Sequence, residues 1–166
     1  MKPVGILFVC LGNICRSPLA EGIMRELATR AGRARAISID SAGTGAWHVG
    51  DPPDRRSVAV ARAHGIDIAA LRGRKIDVAD FAAFDLILGM DRANVRDLRA
   101  LAPEATADKV HLFMDYAAGR DEDVPDPYYE AAGAFEALYQ MLEAGCSSLL
   151  ARLERSSSSG KTSSVR

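Results

Sequence analysis

A chain of 166 residues, 48% hydrophobic and 26% charged, has the size and composition of one globular domain with room for a core. The 21 lysines and arginines against 22 aspartates and glutamates leave a net charge of −1, which excludes the strong basic field of a nucleic-acid-binding domain. No apolar run approaches the roughly 18 residues of a membrane span, and the short apolar segment after Met1-Lys2-Pro3 is too brief for a signal-peptide core, so a cytoplasmic protein is expected.

Val4-Gly5-Ile6-Leu7-Phe8-Val9 is a continuous run of strand formers and predicts a buried strand paired on both sides. Ser17 followed by Pro18 marks a helix start, a hydroxyl at the cap and a ring that needs no N–H in the first turn. Leu19, Ile23, Met24 and Leu27 share one face of that helix, and Gly32 ends it. Residues 36–41 read as a second strand, followed by a long loop punctuated by Gly43, Gly45, Gly50, Pro52 and Pro53. A helix over about 54–64 stops at Gly65. Residues 85–90 give a third strand, and Asp91 caps a helix that runs to about Leu101. Residues 110–113 form a short fourth strand, a polar loop follows, and a long Ala- and Leu-rich helix occupies about 129–153. This alternation predicts an α/β fold in a single domain over 1–155, with parallel strands and helices on both faces of the sheet. Residues 156–166, dominated by serine, read as a flexible tail.

The chemistry concentrates in Cys10-Leu11-Gly12-Asn13-Ile14-Cys15-Arg16-Ser17, between the first strand and the first helix. A short curl there directs loop N–H groups and the helix N-terminus at one point, which makes an anion site. Gly12 and Asn13 tolerate the left-handed backbone angles the curl needs. Arg16 offers a guanidinium fork for phosphate oxygens. Cys10 stands at the mouth, where the same N–H groups and Arg16 favour its thiolate, a nucleophile beside a bound phosphate. Ser17 is placed to hydrogen-bond that thiolate as it departs. The competing reading is an ordinary strand-to-helix turn with a buried cysteine and a surface arginine. A Walker loop is excluded because no Gly-Lys-Ser/Thr follows. No metal site is expected, since Cys146, His48, His64 and His111 lack ligand spacing. Three cysteines make no disulfide framework, which fits a reducing compartment.

The loop 10–17, Ser41-Ala42-Gly43-Thr44, Trp47-His48-Val49-Gly50 and Asp126-Pro127-Tyr128-Tyr129 appear in the order found in low-molecular-weight protein tyrosine phosphatases, and the chain resembles that family from Val4 to about Leu153. The resemblance implies a four-stranded parallel sheet with its phosphate-binding loop after the first strand. It implies hydrolysis of phosphotyrosine-containing proteins and small aryl phosphates through a phosphocysteine, without metal or other cofactor. Leu11, Gly12, Asn13, Ile14, Cys15 and Ser17 are then substrate-binding positions, and Ser41 supports the loop. One departure falls at Ala70, where the family often carries a histidine that braces the phosphate loop, so the brace from Asn13, Ser17 and Ser41 is expected to be weaker or differently completed.

Aryl-ester cleavage needs a proton donor for the leaving oxygen. Asp126, held extended between Pro125 and Pro127, is the candidate and matches the family's acid position. Asp121, Glu122 and Asp123 add negative charge nearby and favour its protonated form. Trp47, in a Gly/Pro-rich loop, and Tyr128 and Tyr129, directly after the acid, are expected to wall the pocket for a phenyl ring. Asp91 also matches a family position, although capping its helix explains it. Cys15 is the expected redox partner of Cys10, a buried filler of the loop being the other reading. Two further functions stand beside the phosphatase: an arsenate reductase on the same loop, which needs a cysteine relay that Cys146 is badly placed to give, and an inactive phosphate-binding module, for which loss of Cys10, Arg16 or Asp126 would be expected. A monomer is the simplest expectation.

Overall fold

Apolar residues on both faces of strand β1 (Val4–Cys10) place it inside a parallel sheet, and the computed structural model, which describes residues 2–161, has it there. β1 pairs with β2 (Ile37–Gly43) on one side and β3 (Leu86–Gly89) on the other, and β4 (Val110–Leu112) lies beyond β3. The order is β2-β1-β3-β4 and every pairing is parallel. Side chains of β1 alternate between the two faces. Ile6, Phe8 and Cys10 join one buried cluster and Leu7 and Val9 the other.

The first cluster is closed by α1 (Arg16–Arg30), through Leu19, Ile23 and Met24, and by α5 (Phe113–Ala118) and α6 (Gly133–Lys161). Phe8 meets Phe113 edge-on, with ring centroids 5.6 Å apart. The second is closed by Phe81 of α3 (Asp80–Ala83) and by Val95 and Leu98 of α4 (Arg92–Leu101). α2 (Arg55–Ala63) starts at Asp54, whose carboxylate accepts the Arg56 N–H at 2.8 Å. α4 starts with a reciprocal cap: Asp91 accepts the Asn94 N–H at 2.8 Å and Asn94 accepts the Asp91 N–H at 3.1 Å.

Departures from the expected elements have local causes: α1 starts at Arg16, after Cys15, rather than at a Ser17 cap, and the four-residue α3 falls where no element was expected. The expected polar loop after β4 contains α5, because Phe113, Met114 and Ala117 bury one face over a run too short to announce its period. The last helix begins at Gly133 rather than near 129, since the carbonyls of Tyr128 and Glu130 accept hydrogen bonds from Arg56 instead of from a helical turn. The same helix runs through the serines to Lys161, so the first part of the expected tail is helical. Serine costs a helix little, and extension from a docked helix needs no new nucleus. The rest of that tail lies outside the described residues. Among the described residues no helix is long and apolar enough to cross a membrane.

Candidate active site

The parallel order brings the carboxyl ends of β1, β2 and β3 to one edge, where such sheets bind ligands. Residues 10–16 curl there between β1 and α1. Asn13 takes φ 55°, the left-handed region foreseen for it and for Gly12, while Gly12 itself does not adopt a positive φ. The curl's carbonyls are bonded outward. Thr44 N–H donates to Cys10 O and Gly45 N–H to Leu11 O, each at 2.9 Å, and Asp54 N–H donates to Ile14 O at 2.8 Å. Ser57 Oγ–H donates to Cys15 O at 3.3 Å. A trans peptide sets C=O and N–H in opposite directions. The N–H groups of Leu11, Gly12, Cys15 and Arg16 therefore turn into the curl, the arrangement an oxyanion needs.

Asn13 organises the back of the loop. Its Oδ1 accepts the Arg74 backbone N–H at 3.0 Å, which fixes the amide orientation. Its Nδ2 then donates to Ser17 Oγ at 2.8 Å and to Ser41 Oγ at 3.0 Å. The Ser41 hydroxyl in turn donates to Glu21 Oε1 at 2.7 Å. Ser17 Oγ lies 2.9 Å from Cys10 Sγ and already accepts from Asn13, so its proton is directed at the sulfur. Burial holds the Glu21 carboxyl above the usual carboxylate range, against the pull of Ser41 and Arg25. The brace is thus completed by Glu21 and the Arg74 backbone, while Ala70 lies exposed. Asn13 and Ser17, expected among the substrate-binding positions, do not line the cavity; their buried side chains stiffen the loop from behind.

Arg16 is buried beside Cys10. Its Nη1 donates to Asp91 Oδ2 at 2.7 Å and to Val124 O at 3.0 Å, and Nη2 lies 3.7 Å from Asp126 Oδ2. Burial opposes its charge, but Cys10, Asp91 and Asp126 outweigh burial and raise its pKa above the ordinary arginine value. Asp91 therefore does two things: one oxygen caps α4 and the other aims Arg16. The acids expected to press on Asp126 are compensated, Asp121 and Asp123 by Arg92 and Glu122 by Arg120. Burial, then the charges of Asp54, Cys10 and Asp126, push the Cys15 thiol up to about 12, with Arg56 opposing. Cys146 is fully buried, and burial pushes its thiol above the usual range.

Cys10, Arg16 and Asp126 line one cavity of about 310 Å³ with Leu11, Gly12, Ile14 and Cys15, under a rim of Trp47, His48, Tyr128 and Tyr129. Trp47 is 73% and Tyr129 93% exposed, so neither serves the core. His48 is a wall the sequence did not single out; Asp51 Oδ2 lies 3.1 Å from its Nδ1. Glu21 had a readable signal, a carboxylate one turn after Ser17 on the buried face of α1. Among the described residues, no cluster of His, Cys, Asp and Glu is arranged to hold a metal ion.

The profile of the family "Low molecular weight phosphotyrosine protein phosphatase" matches residues 5–159. The low molecular weight protein-tyrosine-phosphatase YfkJ of Bacillus subtilis is 41% identical over 153 residues, 92% of this chain and 97% of the relative. The low molecular weight phosphotyrosine protein phosphatase of Schizosaccharomyces pombe is 46% identical over 143 residues, 85% of this chain and 91% of the relative. In structure, the chain superposes on the protein tyrosine phosphatase from Entamoeba histolytica with Hepes in its active site, with a TM-score of 0.87 and 34% identity, covering 93% and 99% of the two chains. A family match over residues 5–159 and relatives 41% and 46% identical, each covered over more than nine-tenths of its length, show that the chain belongs to the low molecular weight phosphotyrosine protein phosphatase family.

Proposed function

We propose that the chain hydrolyses phosphotyrosine in proteins, and small aryl phosphates, through a phosphocysteine intermediate. The observation that carries the reading is the convergence of Cys10, Arg16 and Asp126 on one cavity, with the Ser17 hydroxyl 2.9 Å from the Cys10 sulfur. The phosphoryl oxygens enter the curl and meet its inward N–H groups and the Arg16 guanidinium. The Cys10 thiolate attacks phosphorus in line with the phenolic oxygen. Asp126 gives that oxygen its proton as the P–O bond breaks. In the second half Asp126 takes a proton from water, which attacks the phosphocysteine, and the Ser17 hydroxyl stabilises the departing thiolate. Trp47, Tyr128 and Tyr129 hold the phenyl ring above the loop. Every residue these steps use comes from one chain, so a monomer suffices. All three cysteines are free thiols, and a nucleophile that must stay reduced suits the cytoplasm.

The test is a pair of variants assayed on a phosphotyrosyl peptide. Cys10→Ser loses turnover while still binding vanadate, since the N–H cradle and Arg16 remain. Asp126→Ala lowers kcat/KM, which reports the step up to the phosphocysteine, by about 10²–10⁴-fold for the peptide and far less for esters whose leaving group needs no proton. Turnover by Cys10→Ser removes the covalent route, and equal losses on both ester classes in Asp126→Ala remove the acid.

A further inference from the structure

The stretch that carries Asp126 has no regular structure, and it is poorly supplied with bonds of its own. Tyr128 N–H donates to Asp126 Oδ1 at 3.1 Å and Glu130 N–H to Pro127 O at 2.9 Å. Pro125 and Pro127 contribute no donors. At its entry Val124 is fixed, its N–H to Met90 O at 2.8 Å and its carbonyl to Arg16 at 3.0 Å. Past Asp126, among the described residues, the hydrogen bonds that reach its backbone from the rest of the molecule come from a single side chain, Arg56. Its Nη2 donates to Tyr128 O at 2.9 Å and its Nη1 to Glu130 O at 3.2 Å. The guanidinium also lies 4.5 Å from the Phe135 ring centre and 5.7 Å from that of Tyr128.

The other edge of Arg56 is tied to the phosphate loop. Nε and Nη2 reach the two oxygens of Asp54, each at 3.0 Å. Hydrogen bonding from Arg56 outweighs burial and holds the Asp54 carboxyl below its usual range. Asp54 in turn donates its N–H to Ile14 O, and Ser57, one residue beyond Arg56, donates to Cys15 O. A continuous line of bonds therefore runs from the phosphate loop through the start of α2 to the acid loop. Proton donation requires heavy atoms about 2.6–3.2 Å apart, and a displacement of about 1 Å can cost about 10²-fold. Arg16 ties the entry of the stretch at Val124 O and stands 3.7 Å from the Asp126 carboxylate, but past Asp126 the loop's own bonds end within four residues and cannot fix its far side against the phosphate loop.

We infer that Arg56 is the positioning residue of the acid: it clasps the Asp126 loop to the phosphate loop by way of Asp54. The inference rests on Asp126 being the proton donor. Lysine cannot replace this clasp fully, because its point charge lacks the two edges that Arg56 uses at once.

The experiment compares Arg56→Ala, Arg56→Lys, Asp126→Ala and the Arg56→Ala/Asp126→Ala pair. Phenyl phosphate, whose leaving group needs a proton, is set against difluoromethylumbelliferyl phosphate, whose leaving group does not. Arg56→Ala is expected to lose about 10- to 10²-fold more kcat/KM, which reports the step up to the phosphocysteine and leaves out the hydrolysis common to both esters, on phenyl phosphate than on the other ester. Competitive inhibition by inorganic phosphate stays at the wild-type level, and Arg56→Lys restores part of the loss. The double variant is no slower on phenyl phosphate than Asp126→Ala alone. Equal losses on both esters, or additive losses in the double variant, overturn the clasp while Asp126→Ala still discriminates between the esters. If Asp126→Ala itself fails to discriminate, the acid assignment falls and the clasp with it. Should Arg56→Ala fail to fold, Asp54→Asn releases one edge of the guanidinium while keeping a good helix cap, and the same ratio decides.

Discussion

Ser17 has one proton, and Asn13 decides where it goes. Because the Asn13 carbonyl is taken by a backbone N–H, its amide must donate to Ser17, and the hydroxyl is left to serve Cys10. Cys10, Arg16 and Ser17 were legible in the sequence because they fall within one short segment whose spacing is itself the signal. Arg56 was not, and of Asp91 only the cap and the family position were, not its bond to Arg16, since each is adequately explained by its own helix until the chain folds. At the rim, Trp47→Ala is expected to lower kcat/KM for aryl phosphates about 2- to 10-fold, the worth of one stacking contact of about 0.5–1.5 kcal/mol. Alkyl phosphates and the melting temperature should hardly respond, because the side chain is 73% exposed. A fall in stability with equal loss on both substrate types would make it structural. The neighbouring thiol makes a separate prediction. Peroxide converts the Cys10 thiolate to a sulfenic acid with release of hydroxide; the Cys15 thiol then displaces that hydroxyl as water and closes a disulfide. A thiol pushed up to about 12 attacks slowly at neutral pH, and bound phosphate covers Cys10. Dithiothreitol should therefore restore part of the activity of oxidised wild type and less of Cys15→Ser. Equal recovery, or no Cys10–Cys15 link by mass spectrometry, refutes the pair.

At the scale of elements, the phosphate loop is held by its neighbours as much as by its own residues. The carboxyl end of β2 approaches it so closely that a Cβ on Gly43 would stand 2.8 Å from Leu11 O and 3.2 Å from Asn13 N. Both are backbone atoms that cannot swing aside. Gly43→Ala is expected to destabilise the fold by about 1–3 kcal/mol, as overpacking does, and to weaken inhibition by phosphate in the same variant. Thermal melts with phosphate inhibition check this, and a variant that loses stability with unchanged phosphate inhibition would show the curl tolerates the shift. The β1–curl–α1 unit could be read from sequence because its apolar run, cysteine-to-arginine spacing and proline are all local, but the expected cap is not one: α1 starts at Arg16 after Cys15 with no side-chain cap, and the Ser17 hydroxyl faces Cys10 instead. α3, α5 and the end of α6 could not. α3 spans four residues and α5 six, less than the period needs to repeat, and the serine run is helical through continuity with a docked helix rather than through its own composition.

Over the whole molecule, the site is where several crossovers begin. Residues 10–17 follow β1, Ser41 and Thr44 end β2, Asp54 and Arg56 open α2, Asp91 follows β3, and the acid loop precedes α6. In the proposed mechanism the oxyanion is held by the loop and Arg16, and Arg16 is bonded to Asp91 and Val124, and the loop to Thr44, Gly45, Asp54 and Arg74. Local opening at this edge and anion binding exclude one another, so the ligand should stabilise the folded chain as a unit. A ligand that binds only the native state at 100 times its dissociation constant adds about 2.7 kcal/mol, which for a domain of this size raises the melting temperature by about 5–10 °C. Inorganic phosphate is expected to do this for the wild type and for Cys10→Ser, which keeps the whole N–H cradle. Arg16→Lys, with a point charge in place of a fork that is already aimed by Asp91, should lose most of the shift when compared with its own phosphate-free melt. Melting curves over a phosphate titration decide it: an undiminished shift in Arg16→Lys, or none in the wild type at saturation, would show that the anion settles somewhere other than the curl after β1.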